Sequence, residues 1–165
     1  MKLEFVIELL DKKHIRDNFD CGEESLNIFL KQFARQNSER GFGRTFVAVL
    51  PNETDVLGYY TISAGSVAFD AVPEKLPRYP IPTAHLGRLA ADLKMRGQRL
   101  GELLLVDALA RTVAVAEEFG IYAIELFALN ENAKKFYLKY GFIELKDDKN
   151  HLYLPIETLK KSGLV

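Results

Sequence analysis

The pattern of apolar residues in the first third of the chain predicts a strand, a helix and a strand hairpin. Leu3–Leu10 mixes β-branched, aromatic and leucine residues without a helical period, which is typical of a strand. Apolar residues recur at helical spacing in Leu26–Ala34, so we expect one amphipathic helix that ends before Gly41. Thr45–Leu50 and Val56–Ser63 lie on either side of a turn and predict an antiparallel hairpin.

The middle of the chain predicts a proline-rich loop, a strand and the longest helix. Four prolines in Val72–Pro82 remove backbone donors and fix φ, which favours a surface loop and argues against a central strand. His85–Ala91 is an apolar strand. Apolar residues in Leu100–Phe119 step by three and four positions, so we expect a long helix with Gly120 in the C′ position.

The last third of the chain predicts a strand, then a short helix, then a closing hairpin of two strands. Ile121–Ala128 is an apolar strand, and Asn130–Tyr140 is a short helix that Gly141 stops. Phe142–Lys146 and His151–Pro155 form the closing hairpin. This order of elements indicates an α/β (α+β) fold with a mixed sheet and helices on both faces.

Composition is that of an ordinary soluble globular protein. A length of 165 residues without linker or repeat predicts one domain, 1–165, and apolar residues make up 48% of it. One cysteine, Cys21, excludes an internal disulfide and a thiolate zinc site, and the three histidines lack the spacing of metal ligands. No apolar stretch approaches about 18 residues, and the N-terminus lacks the pattern of a secretory signal. We therefore expect no metal, no membrane span and a cytoplasmic location.

Formal charge nearly cancels over the whole chain but not along it. The net charge is -1, which gives no overall electrostatic case for nucleic-acid binding. Two short stretches are positive, because 31–44 carries four basic and one acidic residue and 94–101 carries three basic residues alone. The stretch 31–44 is typical of a solvated helix face, and the stretch 94–101 lies at the start of the longest predicted helix.

The segment Lys94–Gly101 joins a predicted strand to the N-terminus of that helix. The first turn of a helix leaves backbone N–H groups unpaired and carries a partial positive charge, so a glycine-bearing strand-loop-helix can bind an anion. Arg96 and Arg99 add charges that pair with phosphate oxygens. A diphosphate-bearing ligand fits this pattern, and the alternative is a turn whose basic residues are only solvated. The segment matches neither a P-loop nor G-x-G-x-x-G.

Two motifs carry a resemblance to a known family. Arg96-Gly97-Gln98-Arg99-Leu100-Gly101 resembles the acyl-CoA pyrophosphate loop of the GNAT superfamily of N-acetyltransferases, whose pattern is Q/R-x-x-G-x-G/A. Arg99 stands at the first glycine of that pattern, and with an ordinary helical φ it would still present its N–H. The second motif, N-x-x-A-x-x-F-Y-x-x-x-G-F, matches Asn130, Ala133, Phe136, Tyr137, Gly141 and Phe142.

The resemblance implies a fold, a co-substrate and a set of site residues. The fold is a twisted, mostly antiparallel mixed sheet of six to seven strands with about four helices, and the acyl donor is acetyl-CoA. Backbone N–H groups around Leu89–Ala91 would hold the pantetheine and the thioester carbonyl. Tyr137 would protonate the departing thiolate, although its spacing alone also suits a core aromatic residue. The implied coenzyme-binding residues are Leu89, Ala90, Ala91, Arg96, Gly97, Gln98, Arg99, Leu100, Gly101, Asn130 and Lys139.

A narrower resemblance covers nearly the whole chain. Bacterial acetyltransferase toxins of type II toxin-antitoxin modules are similar to Phe19–Gly22, Gly58–Ala64, Leu76–Pro82, Leu86–Ala90 and Gly101–Leu109. The resemblance implies N-acetylation of the α-amino group of aminoacyl-tRNA, which blocks translation. It also implies a ribbon-helix-helix antitoxin as partner and a homodimer. Under this hypothesis the tRNA-contacting residues would be Arg35, Arg78 and Arg88.

The sequence leaves the general base and the acceptor open. An α-amine with a pKa near 8 needs about 1.4 kcal/mol to become neutral at pH 7, whereas a lysine amine needs about 4.6 kcal/mol. A missing base is therefore tolerated better with an α-amine, although Asp92 or Glu125 could act through water. One alternative is a stand-alone acetyltransferase of a small amine or a protein N-terminus. Another is a non-catalytic acyl-CoA-binding or DNA-associated regulatory module.

Overall fold

The fold is known from a computed structural model that describes residues 2–165. The strands are β1 (Val6–Leu9), β2 (Arg44–Val49), β3 (Gly58–Val67), β4 (Ile81–Ala91), β5 (Ala123–Phe127), β6 (Ile143–Glu144) and β7 (His151–Pro155). The α-helices are α1 (Glu24–Ile28), α2 (Ala34–Glu39), α3 (Leu100–Ala116), α4 (Glu131–Lys139) and α5 (Ile156–Ser162). None of the helices within these residues is long and apolar enough to cross a membrane.

Within the described residues the strands form one mixed sheet in the order β1-β2-β3-β4-β5-β7-β6. The pairs β1/β2, β2/β3, β5/β7 and β6/β7 are antiparallel, and β4/β5 is parallel. This topology confirms the expected mixed, mostly antiparallel sheet. The parallel pairing is short, since it runs only from Thr83 opposite Ala123 to His85 opposite Glu125.

The predicted helix before Gly41 is present, with one wide turn inside it. Phe29–Phe33 is π-helical and joins α1 to α2. The Ala34 N–H donates to the carbonyl of Phe29, so the Leu30 carbonyl is left to accept a hydrogen bond of 2.9 Å from Arg16. The Tyr59 hydroxyl donates to the carbonyl of Leu26 at 2.7 Å. Side chains from outside the helix thus stabilise its irregular turn.

Contacts divide the chain into two compact units. The first unit runs to Ser63 and includes Arg88–Ala108. The aromatic centre of its core is Tyr59, which packs edge-on against Phe19 and stacks on Phe29. One cluster of buried core residues in this unit comprises Leu10, Phe19, Phe29, Leu30, Ala34, Val47, Val49, Val56, Tyr59 and Ala90.

The second unit comprises Ala64–Gly87 and Leu109–Val165. One cluster of its core combines strand residues with the turn that follows β3, and it comprises Val67, Ala71, Val72, Ile81, Ala123, Leu145 and Tyr153. The Glu74 carboxylate accepts hydrogen bonds from the hydroxyls of Tyr122 and Tyr153. This carboxylate ties the proline-rich loop to the sheet.

Three local predictions are corrected by the structure. Strand β4 takes in Pro82, which was expected to lie in the loop; proline is tolerated there because pairing with β5 begins only at Thr83. Helix α3 ends at Ala116 and Gly120 does not adopt a positive φ. The last turn tightens instead, and Glu117 and Glu118 carry negative charge at the unfavourable end of the helix dipole.

The C-terminal helix α5 was not predicted from the apolar pattern. It is short, but Ile156 and Leu159 are buried, and Gly163 closes it with a left-handed φ of 79°. Pro155 precedes its first residue. The proline and the glycine are the sequence signals that mark its two ends.

Candidate active site

The end of strand β4 provides a free backbone edge. Pairing with β5 stops at His85, whereas β4 continues to Ala91. The segment Leu89–Ala91 therefore has no partner residue on β5. Backbone N–H and C=O groups left in this way can pair with the amide groups of an extended ligand. This property fits the role that the sequence resemblance implies for the segment.

Asp92 anchors the loop that follows β4. Its carboxylate is buried and accepts hydrogen bonds from the backbone N–H groups of Asp20 at 3.1 Å and Lys94 at 2.9 Å. The Asp92 N–H donates to the carbonyl of Leu57 at 2.8 Å. Both carboxylate oxygens thus hold backbone donors, and the geometry favours a structural role for Asp92 over that of a base.

Two residues of the loop adopt left-handed backbone conformations. Gly97 has φ 83° and Arg99 has φ 59°. The condition of an ordinary helical φ at Arg99 is therefore not met. A left-handed φ explains why the family pattern has glycine at this position, because a side chain there meets backbone strain. The Arg99 guanidinium pairs with Glu102 in the first turn of α3, at 2.5 Å.

The start of α3 presents unpaired donors. The first intrahelical bond runs from the Leu103 N–H to the carbonyl of Arg99, so the N–H groups of Leu100 and Gly101 have no acceptor within the helix. Arg96 is exposed, and no carboxylate within residues 2–165 pairs with it. Positive charge and free N–H groups meet here as an anion site requires.

Two polar groups of Gln98, its backbone N–H and its side-chain oxygen, have hydrogen-bond partners. Its backbone N–H donates to the carbonyl of Met95 at 3.1 Å, and its side-chain oxygen accepts from the N–H of Leu3 at 3.1 Å. These bonds fix the shape of the loop and connect it to the segment before β1. The structure therefore supports a role for Gln98 in the shape of the loop.

A glycine on β3 allows the start of α3 to pack closely on the sheet. A Cβ atom placed on Gly58 would lie 2.9 Å from Leu100, 3.0 Å from Leu104 and 3.1 Å from the carbonyl oxygen of Ala90. Such distances are below normal van der Waals contact. The absence of a side chain at Gly58 thus brings the end of β4 and the first turn of α3 together.

Helix α4 holds Tyr137 in an apolar setting. Asn130 caps the helix, since its side-chain oxygen accepts from the N–H of Ala133 at 2.9 Å, and Gly141 ends it with φ 98°. The Tyr137 ring packs edge-on against Phe136 and Phe142, with centroids 5.2 Å and 5.6 Å away. Burial raises the pKa of Tyr137 well above its ordinary value. The phenol is therefore a proton donor and not a base at neutral pH.

The lysines of α4 have different environments. The Lys139 ammonium lies 5.3 Å from the ring centroid of Tyr140 at the end of the helix. Lys134 is buried and pairs with Glu144 of β6 at 2.5 Å. Lys139 thus remains at the surface, as a coenzyme contact requires, whereas Lys134 connects α4 to the closing hairpin.

The three arginines predicted to contact RNA lie in different surroundings. Arg88, in the first unit, is half-buried with its guanidinium 3.6 Å from the ring centroid of Phe29. Arg35, also in the first unit, pairs with Glu39 at 3.4 Å on α2. Arg78 lies in the second unit, where it is exposed and 5.9 Å from the ring of Phe69.

One further cation of the first unit was not singled out from the sequence. Burial and the positive charge of Arg35 lower the pKa of Arg16, so the two guanidinium groups are electrostatic neighbours. Arg16 lies in an irregular segment, and its neighbour Asp17 cancels its charge in any count along the chain. Its position is explained only by the π-helical turn, where the Leu30 carbonyl needs a hydrogen-bond donor and Arg16 supplies it.

Glu125, the other residue considered as a base, is buried between two histidines. Its oxygens accept hydrogen bonds of 2.7 Å from His85 Nδ1 and from His151 Nε2. Burial alone raises the pKa of Glu125, but the hydrogen bonds and charges of the two histidines outweigh it and bring this pKa below its ordinary value. The carboxylate is thus ionised and has both oxygens engaged. Residues 2–165 contain no cluster of potential metal ligands.

Comparison with known proteins agrees with these features. A family described as "Acetyltransferase (GNAT) domain" matches residues 18–157. A curated protein of Mycobacterium tuberculosis, named "tRNA-acetylating toxin", is 37% identical over 140 residues, which cover 83% of this chain and 83% of that protein. The agreement extends over most of both chains.

Two solved structures have the same fold. AtaT complexed with acetyl-methionyl-tRNAfMet matches with a TM-score of 0.90 and 32% identity, over 96% of this chain and 98% of that one. A tyrosine-to-phenylalanine variant of the toxin AtaT, bound to the C-terminus of the antitoxin AtaR and acetyl-CoA, matches with a TM-score of 0.85. Its identity is 30%, over 98% of this chain and 99% of that one.

Proposed function

The chain belongs to the GNAT acetyltransferase family, and on this premise we propose that it is a toxin that acetylates the α-amino group of aminoacyl-tRNA and blocks translation. The observation that carries this proposal is the fold match, at a TM-score of 0.90, with a protein solved together with an acetylated aminoacyl-tRNA. The relative named as a tRNA-acetylating toxin supports the same substrate. The acyl donor is acetyl-CoA, which supplies the acetyl group as an activated thioester.

The coenzyme fits the free edge of β4 and the start of α3. Leu89–Ala91 offer backbone groups to the amides of the pantetheine arm, because they lack partners on β5. Leu100 and Gly101 offer N–H groups to the pyrophosphate, and Arg96 adds a full positive charge. Lys139 contributes a further cation. Gly97, Gln98, Arg99 and Asn130 shape the backbone that presents these donors.

Tyr137 acts as the general acid. Its phenol keeps its proton because burial raises its pKa. The reference pKa values are about 10 for a phenol and about 8.5 for a thiol, so transfer of the proton to the departing sulfur is uphill by about 2 kcal/mol and takes place as negative charge develops there. Tyr137 recovers its proton from solvent after release of products.

The acceptor is an α-amine and not a lysine side chain. At pH 7 an α-amine becomes neutral for about 1.4 kcal/mol, against about 4.6 kcal/mol for a lysine amine. The two carboxylates considered as bases are engaged elsewhere, Asp92 with backbone donors and Glu125 with histidines. A site with no free carboxylate base suits the more acidic ammonium group.

Arginine side chains bind the RNA backbone. Arg88 is held against Phe29, which fixes the plane of its guanidinium, and a fixed guanidinium is well suited to phosphate. Arg35 and Arg78 add positive charge in their respective units. Each phosphate contact releases counterions from the RNA, so this binding weakens as salt increases.

The remaining features of the proposal concern partners and setting. A ribbon-helix-helix antitoxin binds the chain, in line with the structure of AtaT bound to AtaR. The active form is a homodimer in the cytoplasm, and residues 1–165 act as a single domain. A short basic reading frame beside the coding sequence of this chain is the genomic observation that supports the antitoxin.

Labelled acetyl-CoA incubated with total charged tRNA tests the substrate. We expect label in the RNA fraction, released by mild base together with the amino acid, and no label on deacylated tRNA. The variant Tyr137→Phe is the matched control, because it retains the ring and loses only the hydroxyl. Label on peptide N-termini or small amines but not on RNA would replace the toxin hypothesis with that of a stand-alone acetyltransferase.

A further inference from the structure

The turn between α2 and β2, residues 40–44 of the first unit, presents an aromatic side chain on a fixed backbone. The Gly41 N–H donates to the carbonyl of Ser38 at 3.1 Å, and the Phe42 N–H donates to the carbonyl of Asn37 at 2.9 Å. Gly41 has a left-handed φ of 76°, so these two bonds form a Schellman motif with Phe42 in its C″ position. The hydrogen bonds of this motif hold the backbone that carries the Phe42 ring.

The Phe42 ring lacks the contact that commonly covers a residue in this position. A C″ side chain often packs on an apolar residue at C3 or C4 of the helix, but here those residues are Asn37 and Gln36. Phe42 is 66% exposed. A Cβ atom on Gly41 would meet nothing within 4 Å, so the space beside that residue is open as well. The turn thus exposes an uncovered aromatic ring.

Two arginines flank this ring along the chain. Arg40 and Arg44 stand two positions before and two positions after Phe42, and both are exposed. The Arg44 guanidinium turns back and donates hydrogen bonds to the carbonyls of Ser38 at 2.6 Å and Gly43 at 3.4 Å. These bonds keep its charge beside the turn and cover a carbonyl at the negative end of α2.

The charges of the turn favour an anionic partner. Glu39 is the only acidic residue of 31–44, and its carboxylate pairs with Arg35 at 3.4 Å. Neither Arg40 nor Arg44 forms an ion pair within residues 2–165. A second copy of the same turn would bring like charges together. A polyanion that also carries flat apolar groups matches both the charge and the ring, and single-stranded RNA has this chemistry.

We propose that Phe42 stacks against an unpaired base of the charged tRNA. Charged tRNA offers such bases at its 3′ end and in its loops, whereas its stems expose mainly phosphates and 2′-hydroxyls. Stacking accepts any base, because every base has a π face, and it releases no counterions. The ring therefore supplies affinity that salt does not remove, in addition to the phosphate contacts of the arginines. This inference rests on the proposed function for its choice of RNA.

Fluorescence of an introduced tryptophan tests the stacking directly. The sequence contains no tryptophan, so Phe42→Trp places the only indole of the chain in the turn. We expect charged tRNA to quench its emission, because a base stacked on an indole quenches it. The matched control is Phe119→Trp, since Phe119 is 69% exposed but follows Glu117 and Glu118. Its emission should respond only to the absorption of light by the RNA.

Affinity measurements separate the ring from the charges. We expect Phe42→Leu to raise the Kd for charged tRNA about tenfold, because a leucine side chain cannot stack on a base. The salt dependence of Kd should stay as in the wild type, since no charge is lost. Phe42→Trp should retain the wild-type Kd. The KM for acetyl-CoA and the free energy of unfolding should not change in either variant, because the side chain is exposed.

The outcomes distinguish this inference from the proposed function. An unchanged Kd in Phe42→Leu, or equal quenching in the two tryptophan variants, would overturn the stacking while acetylation of charged tRNA stands. Emission of Phe42→Trp that changes with protein concentration without RNA would overturn it in favour of contact with a second copy. Quenching by tRNA without transfer of acetyl label would support the stacking and overturn the proposed reaction. Absence of both binding and acetylation would overturn both.

Discussion

Tyr137 combines a polar hydroxyl with an almost wholly apolar environment. Its ring makes T-shaped contacts with the rings of Phe136 and Phe142. Burial therefore keeps the phenol neutral over the whole physiological range, because ionisation would place a charge among aromatic rings. A neutral donor held in this way is suited to protonating a charge that develops beside it.

Replacement of Tyr137 with Phe should separate chemistry from folding. We expect acetyl transfer to fall by about 10² or more, because the donor is lost, while the ring contacts and the affinity for acetyl-CoA remain. Because burial raises the pKa of Tyr137, this side chain should keep its proton below about pH 10. Ionisation of Tyr137 should therefore cause no decline in the wild-type rate below that pH. Steady-state rates and calorimetric binding of acetyl-CoA measure the two effects. Unchanged turnover in the variant would refute the assignment of the acid.

Arg99 is a residue in a conformation that suits glycine. We expect Arg99→Gly to raise the free energy of unfolding by about 0.5–1 kcal/mol, because relief of the left-handed strain exceeds the loss of an exposed ion pair with Glu102. Arg99→Ala is the control, since it loses the ion pair and keeps the strain, and it should not be stabilised. Urea denaturation measures both. Equal stability of the two variants would contradict the role of φ.

At the scale of elements, the site depends on how closely α3 approaches the sheet. The first turn of α3 lies against Gly58 of β3, and so does the end of β4 through the carbonyl of Ala90. Neither element alone makes an anion site. The helix offers donors, the strand offers an edge, and the missing side chain at Gly58 sets the separation between them.

A methyl group at this contact should disturb binding of the coenzyme. We expect Gly58→Ala to lower the free energy of unfolding by about 1–3 kcal/mol, because the new Cβ would meet Leu100, Leu104 and a backbone oxygen. The KM for acetyl-CoA should increase at least several-fold. Gly120→Ala is the control, because nothing lies within 4 Å of the added atom and φ is ordinary. Similar effects of the two changes would contradict this account.

Sequence patterns predicted the elements better than the contacts that link them. The strands, α3 and α4 follow from local apolar spacing and from signals such as Asn130 and Gly141. The left-handed Arg99 was missed because an arginine gives no local signal for positive φ. The position of Glu125 between His85 and His151 was missed because these residues meet only when β5 pairs with β4 and β7, and this pairing depends on the whole sheet.

At the scale of the whole molecule, charge distribution matters more than net charge. The chain carries -1 overall, so a polyanion is not attracted by the molecule as a whole. Attraction must come from local cations such as Arg88, which Phe29 holds in place, and Arg35. Binding of this kind weakens as ionic strength increases, because each phosphate contact releases counterions.

Salt dependence of the reaction should therefore reveal the number of RNA contacts. If Arg35, Arg78 and Arg88 each neutralise one phosphate, the affinity for charged tRNA should fall with a log–log slope of about -2. Its KM should then increase about tenfold to twentyfold between 50 and 200 mM KCl. Arg88→Gln should reduce the steepness of that slope by about 0.7. Lys149→Gln removes the same charge at an exposed position outside both positive stretches and should leave the slope unchanged. A KM that does not respond to salt would show that the basic side chains do not bind the RNA backbone.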